Sequence, residues 1–385
     1  MFVFHANDIS EHSFPIAVPD GDLRDLERRL AATRWPDRET VPDLSQGARL
    51  ESVQRLCEYW ATGYDWRRCE RQINESGSSR MEIDGLGIHF LHVRSSHPAA
   101  RPLLLCHGWP GSVLEFRDLV SPLAEPGAHG GSDEDAFHVV VPSMPGFGFS
   151  DKPTTTGWNP GRIADAWITL MERLGYDSWF AHGGDWGAAI IDTISRKAPD
   201  RCRGLHFTLA PVFPTPEEIA EATPDEQRML ARAQLYATDQ NAYFTEQSTR
   251  PQTIGFSLAD SPSGLASWIC TVLQDVVDGD VEDVLGRDVV LDTVMMYWLP
   301  NAGASAARLY WESSRTADAG APPPNPVPAG FSIFPGEVVQ ASRRWIERRY
   351  SDVLHFATLP RGGHLAALEQ PAVLVDEIRT TFRGA

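Results

Sequence analysis

The sequence predicts an α/β protein: a mostly parallel central sheet, one helical insertion, and a helical or meandering segment in front. Three observations point there. Short β-rich runs recur from Met81 onwards, and an amphipathic helical pattern lies between two of them. The alternation breaks from about residue 212 to 300 and resumes at Phe331. Strands alternating with helices imply parallel pairing with helices on both faces of the sheet.

Residues 1–80 read as an N-terminal helical or meandering segment. Leu23, Leu26 and Leu30 fall at helical spacing, and Leu50, Val53, Leu56, Cys57 and Trp60 repeat it, with prolines and acidic loops between. Residues 81–211 read as the first half of the sheet. The β-rich runs lie at 81–83, 88–93, 103–106, 137–141, 179–181 and 205–209, then at 331–334 and 354–359. Leu103-Leu104-Leu105 and Val139-Val140-Val141 suit strands buried on both faces. Ile163, Trp167, Leu170, Met171 and Leu174 share one helix face. Residues 212–300, mainly helical and rich in acidic side chains, read as a lid. Such an insertion sits over the carboxyl ends of the strands, where open α/β sheets bind ligands. Residues 301–385 complete the sheet. The run APPPNPVP at 321–328 is a stiff, extended connector, because its prolines cannot donate to a ladder.

Composition narrows the function classes. Of 385 residues, 42% are hydrophobic and 22% charged, as in folded globular chains. The 34 Lys and Arg against 52 Asp and Glu leave a net charge of −18, which disfavours nucleic acid as a partner. Five scattered cysteines with no CxxC pair suit reduced thiols in the cytoplasm better than a disulfide framework or a zinc site. MFVFHANDIS lacks the basic and apolar regions of a signal peptide, and no run of about 18 apolar residues exists to span a bilayer.

Three turns carry the chemistry. The first is Gly183-Gly184-Asp185-Trp186-Gly187, between a strand-like run and the apolar 188–191. That is the setting of a nucleophile elbow, G-x-S-x-G with Asp185 in place of serine. Small flanking residues permit the sharp turn, and the following helix N-terminus favours an ionised Asp185. Taken alone, an Asp capping a helix in a Gly-rich turn explains it equally well. The second is HGWPGS at 107–112, directly after a buried strand. This turn supplies an oxyanion-hole amide in such sheets, so the donors would be the main chains of Trp109 and Trp186. X-Pro is the common site of a cis bond, which makes Trp109–Pro110 a candidate. An ordinary βα turn is the competing reading. The third is Arg361-Gly362-Gly363-His364, after the last strand-like run. Most of the twelve histidines do no chemistry, but His364 completes the order nucleophile, acid, histidine. Glu337, after the preceding strand, is the leading acid. Asp352 is the fallback, although it starts the next strand at the wrong end.

With these motifs in place, the chain resembles the epoxide hydrolases of the α/β-hydrolase fold, in particular the microsomal and juvenile-hormone type with an extra N-terminal domain. The resemblance runs through RWPD at 34–37, HGWPGS at 107–112, PGFGFS at 145–150, GGDWG at 183–187, STRPQTIG at 248–255, FPGE at 334–337 and RGGH at 361–364. It implies two lid tyrosines that hold the epoxide oxygen: Tyr243, ahead of STRPQTIG, and Tyr310, with Tyr236 a competitor for the first role. A half-buried core tyrosine is the plainer reading of each. The membrane anchor of the microsomal members is missing, which suits a soluble, cytoplasmic bacterial relative with no membrane partner. Some such relatives act in antibiotic biosynthesis, including enediyne pathways. The partners are then a small-molecule epoxide and water, with room for a homo-oligomer and no metal or organic cofactor.

The implied chemistry explains an aspartate nucleophile. A carboxylate opens the strained ring and becomes an alkyl ester, whose carbonyl water can attack; an ether on serine would have no carbonyl. Phenols protonate the leaving alkoxide, His364 takes the proton from water, and Glu337 orients the imidazole. The nearest alternative is a haloalkane or haloacid dehalogenase, which shares the Asp and His. A halide wants N–H donors, whereas an epoxide oxygen wants O–H groups, so the two tyrosines favour the epoxide. A binding protein that keeps the pocket alone would have no need of nucleophile, acid and base together.

Overall fold

A computed structural model describes residues 11–316 and 323–385. The leader reading of residues 1–10 and the first two residues of the proline-rich connector lie outside the described residues. Among the described residues nine strands form one sheet: β1 (His12–Ser13), β2 (Ser78–Ile83), β3 (Leu86–Val93), β4 (Arg101–Cys106), β5 (Phe137–Pro142), β6 (Trp179–Gly183), β7 (Cys202–Phe207), β8 (Ala329–Ile333) and β9 (Val353–Thr358). Their order is β1-β2-β3-β5-β4-β6-β7-β8-β9. The pairs up to β3–β5 are antiparallel and those from β5–β4 to β8–β9 are parallel. Every predicted β-rich run falls on one of these strands. This is the α/β-hydrolase fold that the alternating pattern and its interruption imply.

The interior strands are buried for the reason their sequences suggest. Leu103, Leu104 and Leu105 in β4, and Val140 and Val141 in β5, have no solvent exposure, because helices cover both faces. Before the sheet come α1 (Asp20–Ala31), α2 (Leu50–Thr62) and α3 (Trp66–Glu75); within it lie α4 (Arg117–Ala124), α5 (Pro160–Arg173) and α6 (Asp185–Lys197). Asn159 caps α5 through its side chain to the Arg162 amide, with Pro160 at the first position where no N–H is needed. Ile163, Trp167, Leu170 and Met171 then face the sheet, fully buried.

Between β7 and β8 the chain leaves the sheet for α7 (Pro216–Ala220), α8 (Pro224–Leu235), α9 (Ala242–Thr249), α10 (Pro251–Asp260), α11 (Pro262–Val276), α12 (Val281–Leu285), α13 (Arg287–Trp298) and α14 (Gly303–Thr316). Thr215 and Thr223 each build a capping box, with Glu218 and Glu226, at the starts of α7 and α8. α14 packs against both α9 and α10. The short α15 (Arg343–Glu347) and α16 (Ala366–Glu369) and the longer α17 (Pro371–Phe382) finish the chain. Among the described residues no helix is long and apolar enough to cross a membrane.

The N-terminal segment is fastened to the lid by buried charge. Asp292 of α13, 1% exposed, accepts from Arg68 of α3 at 2.7 and 2.8 Å, from the Tyr64 hydroxyl at 2.7 Å and from Arg117 of α4 at 2.9 Å. Tyr59 of α2 donates to Asp288 at 2.8 Å beside it. A buried carboxylate with this many donors is satisfied, whereas its removal strands two guanidiniums. Asp292→Ala is expected to cost about 3 kcal/mol of stability, the low end for breaking a buried pair because Arg68 keeps some solvent. Urea unfolding measured by circular dichroism checks this; a loss under about 1 kcal/mol would place the anchoring of the lid elsewhere.

Candidate active site

Parallel strands present their carboxyl ends along one edge, and the turns after β4, β6, β8 and β9 meet there. β6 ends at Gly183 and α6 begins at Asp185, whose φ of 45° lies in the left-handed region. A non-glycine residue there carries strain of roughly 1–3 kcal/mol, held by the packing around it. The neighbouring backbone leaves no room for larger residues. A Cβ on Gly187 would lie 1.9 Å from the Cys106 carbonyl oxygen, so α6 can approach β4 only through glycine. A Cβ on Gly108 would lie 2.2 Å from Asp185 Oδ1.

The turn after β4 supplies the first partner of Asp185. The Trp109 amide donates to Oδ1 at 2.9 Å, and the Trp109–Pro110 bond is cis. The Trp186 amide lies in the first turn of α6, among the N–H groups without an intrahelical acceptor. The other carboxylate oxygen, Oδ2, lies 3.3 Å from Nε2 of His364. On the far side of the ring, Nδ1 donates to Glu337 at 2.9 Å to Oε1 and 3.0 Å to Oε2. The two turns are held in register by the Gly336 amide, which donates to the Gly362 carbonyl at 2.9 Å. Glu337 is itself oriented by the amides of Val338 and Val339, at 2.6 and 3.3 Å. Asp352 precedes β9 at its amino end, whereas His364 follows the carboxyl end of that strand.

Electrostatics follow from this sandwich. Burial disfavours a charged His364, but the Glu337 and Asp185 carboxylates outweigh it and hold the imidazolium well above the usual histidine range. Removing either negative charge brings that value down. Desolvation pushes Glu115, in the turn that follows HGWPGS, up to about 8, with the charge on His364 opposing it. Glu369 binds the amides of Gly363 and Leu365, at 2.8 and 3.1 Å, and so braces the histidine turn. Sequence reasoning missed both glutamates. Nothing in their local sequence separates them from surface acids.

The lid forms the roof. Tyr243 of α9 stacks on Trp109 with ring centroids 4.9 Å apart, and Tyr310 of α14 stands edge-on to Trp186 at 4.9 Å and to Trp109 at 6.0 Å. Both tyrosines are buried, and burial raises both phenols well above the ordinary value, so both remain protonated. The Tyr310 hydroxyl has no hydrogen-bond partner among the described residues. Tyr243 bonds the hydroxyl of Tyr236 at 2.8 Å. Asp185, His364, Trp109, Trp186 and all three tyrosines line a cavity of about 620 Å³. The rest of its wall is mainly apolar, including Leu209, Val212, Phe213, Met229, Leu230 and Val338. Among the described residues no group of three or more His, Cys, Asp or Glu side chains is arranged to hold a metal ion.

Comparison with known proteins gives the same picture. The family profile "Epoxide hydrolase N terminus" matches residues 11–116, and the profile "alpha/beta hydrolase fold" matches residues 101–322. A Stigmatella aurantiaca protein provisionally named as an epoxide hydrolase is 52% identical over 372 residues, 96% of this chain and 84% of that protein. Epoxide hydrolase 1 of Sus scrofa is 31% identical, covering 97% of this chain and 89% of its own. Among solved structures, the Aspergillus niger epoxide hydrolase superposes with a TM-score of 0.88 at 30% identity, over 97% of this chain and 96% of that one.

The close approach at Gly108 is open to test. In Gly108→Ala the new methyl must displace the Asp185 carboxylate, since the backbone beneath it is held by β4. Turnover is expected to fall about 100-fold, as for a reacting group misplaced by about an ångström. An active Gly108→Ala protein with an unchanged rate would show that this carboxylate position is not required.

Proposed function

The chain belongs to the epoxide hydrolases of the α/β-hydrolase fold, and from that membership we propose that it opens its epoxide through a covalent ester on Asp185. The observation that carries this reading is the difference between the two carboxylate oxygens. Oδ1 is held by the Trp109 amide, while Oδ2 has no amide donor and faces the cavity beside His364. Oδ2 attacks an epoxide carbon and forms the C–O bond of the ester as the ring C–O bond breaks. Tyr243 and Tyr310 hold the ring oxygen, and one phenol gives it a proton. Oδ1 is now the ester carbonyl oxygen, already seated at the Trp109 amide, with the Trp186 amide next to it.

Charge couples this step to the second. Once Asp185 is esterified its negative charge is gone, and His364 loses one of the two carboxylates that kept it protonated. The imidazolium releases its proton and becomes a base. Water beside Nε2 loses a proton to the ring and attacks the ester carbonyl carbon. Glu337 stabilises the imidazolium that reforms. As the tetrahedral intermediate collapses, the ester C–O bond breaks and Asp185 returns as a carboxylate. The leaving alkoxide takes the proton left on the attacking oxygen to become the vicinal diol. Tyr243 and Tyr310 favour an epoxide oxygen over a halide as the leaving group, which sets the dehalogenase reading aside.

His364→Gln should form the alkyl-enzyme, seen as a mass increase on Asp185, and fail to turn it over; normal multiple turnover by this variant would remove His364 from the base role. In a single turnover in heavy-oxygen water, label should enter the Asp185 carboxylate and not the diol. Label in that first diol would mean direct attack by water.

The pH dependence has a defined sign. Ester hydrolysis needs neutral His364, so it slows about tenfold per unit as pH falls below the value the imidazole takes in the ester. The steady-state fraction of alkyl-enzyme should therefore rise on acidification, as read by mass spectrometry after acid quench. A fraction that falls would contradict the order of protonation.

A further inference from the structure

The ester reading uses two phenols, yet three tyrosines share the cavity, and they are not equivalent. We propose that Tyr236 is a positioning residue for ring opening: it donates its hydrogen bond to Tyr243, which makes Tyr243 the phenol that protonates the epoxide oxygen, and it then refills Tyr243 with a proton. This inference rests on the covalent mechanism proposed above.

The argument starts from hydrogen-bond inventory. A phenol carries one proton and two lone pairs. The hydroxyls of Tyr236 and Tyr243 lie 2.8 Å apart, so one of them must be the donor. If Tyr243 aims its proton at the substrate oxygen, only Tyr236 can fill that role. The sense of the chain is then Tyr236 to Tyr243 to epoxide. Tyr310 has no such backing. Its hydroxyl is buried and makes no full hydrogen bond among the described residues, and the phenol it faces is Tyr243, ring centroids 6.0 Å apart, so a proton given up there is replaced only by way of Tyr243.

The backbone places Tyr236 for this purpose. α8 ends at Leu235, and residues Tyr236–Gln240 form a π turn before α9 begins at Ala242. Such turns are rare and widen the helix by one residue per turn, which re-aims the side chains that follow. Here the turn sets the Tyr236 ring 6.5 Å from that of Tyr243, tilted by 63°, with the hydroxyls meeting. The turn sits at the rim of the cavity, flanked by Leu235, which is 47% exposed. Tyr236 is therefore the member of the pair nearer to water.

The proton count balances. The alkoxide formed on ring opening takes the Tyr243 proton, so an O–H bond forms on the product and the Tyr243 O–H bond breaks. The Tyr236 proton moves to the Tyr243 oxygen and leaves a phenolate on Tyr236. Water at the rim returns a proton to Tyr236, and the hydroxide so formed is neutralised by the proton that His364 releases when Asp185 is esterified. Burial raises Tyr236 to about 12, whereas Tyr243, more deeply placed, is raised well above its ordinary value, and the Asp185 charge raises both. A hydrogen bond to an ionised oxygen is roughly twice as strong as one between neutral groups, so Tyr236 binds Tyr243 more tightly as the charge develops.

Single-turnover kinetics with styrene oxide separate the steps. Tyr236→Phe keeps the ring and removes only the hydroxyl. Alkylation of Asp185, followed by mass increase, should slow by about 10- to 100-fold, less than the roughly 10²–10⁴-fold of a directly acting acid because Tyr236 acts through Tyr243. Hydrolysis of the isolated ester should keep its wild-type rate, because His364 and Glu337 are untouched. Tyr236→Leu should alkylate no faster than Tyr236→Phe, since the missing group is the hydroxyl. On the wild-type protein, the rate of alkylation against the deuterium fraction of the solvent should curve, as two protons in flight require, and become linear in Tyr236→Phe. Wild-type alkylation by Tyr236→Phe, or a linear wild-type plot, would overturn the relay while leaving the ester mechanism intact. Turnover by the wild-type protein with no mass increase on Asp185 in any quench would instead overturn the ester reading beneath it.

Discussion

An imidazole clamped between two carboxylates is the interaction on which the rest of this molecule turns. His364 reaches Asp185 through one nitrogen and Glu337 through the other, and all three are largely withdrawn from solvent. A buried triad of this kind costs several kcal/mol per ion in lost hydration, and only good geometry with extra hydrogen bonds offsets it. The extra bonds are present. Val338 and Val339 donate to Glu337, Trp109 donates to Asp185, and Glu369 braces the turn that carries the histidine. The same charges that make the resting site stable would also make it responsive under the proposed mechanism, in which esterifying Asp185 removes one of the two reasons the ring holds its proton.

The fold supplies what the triad needs. Parallel strands end on one edge, so residues 185, 337 and 364, far apart in the chain, meet after β6, β8 and β9. The elbow at Asp185 stores backbone strain, and glycine at 108 and 187 allows main chain to close around it. The lid adds the complementary chemistry. The Asp185 carboxylate below and protonated phenols above face each other across the cavity, with an apolar wall between them. Low polarity strengthens every interaction across that space.

The N-terminal segment is tied to the insertion by charge. Arg68 and Tyr64 from that segment and Arg117 from the core converge on Asp292 of α13, so this helix of the insertion is fastened to both.

The sequence by itself determined the strands, the interruption between the two halves of the sheet, and the three turns that carry Trp109, Asp185 and His364, with Glu337 marked by the strand before it. These signals are local: apolar runs, glycines around an acid, and a histidine after a final strand. Tyr243 and Tyr310 were legible only through resemblance, because a tyrosine on a lid helix looks like any core tyrosine. Tertiary structure alone decided that the Tyr236 and Tyr243 hydroxyls touch, that Glu115 and Glu369 lie behind the turns that carry Trp109 and His364, and that Arg68, Tyr64 and Arg117 meet at Asp292. The Asp292 contacts join distant residues, with Arg68 and Asp292 lying 224 apart in the chain, and even Tyr236 and Tyr243, only 7 apart, meet through the geometry of the turn between them. No pattern of neighbours along a chain encodes such contacts; they exist once the hydrophobic core has set the distance between elements.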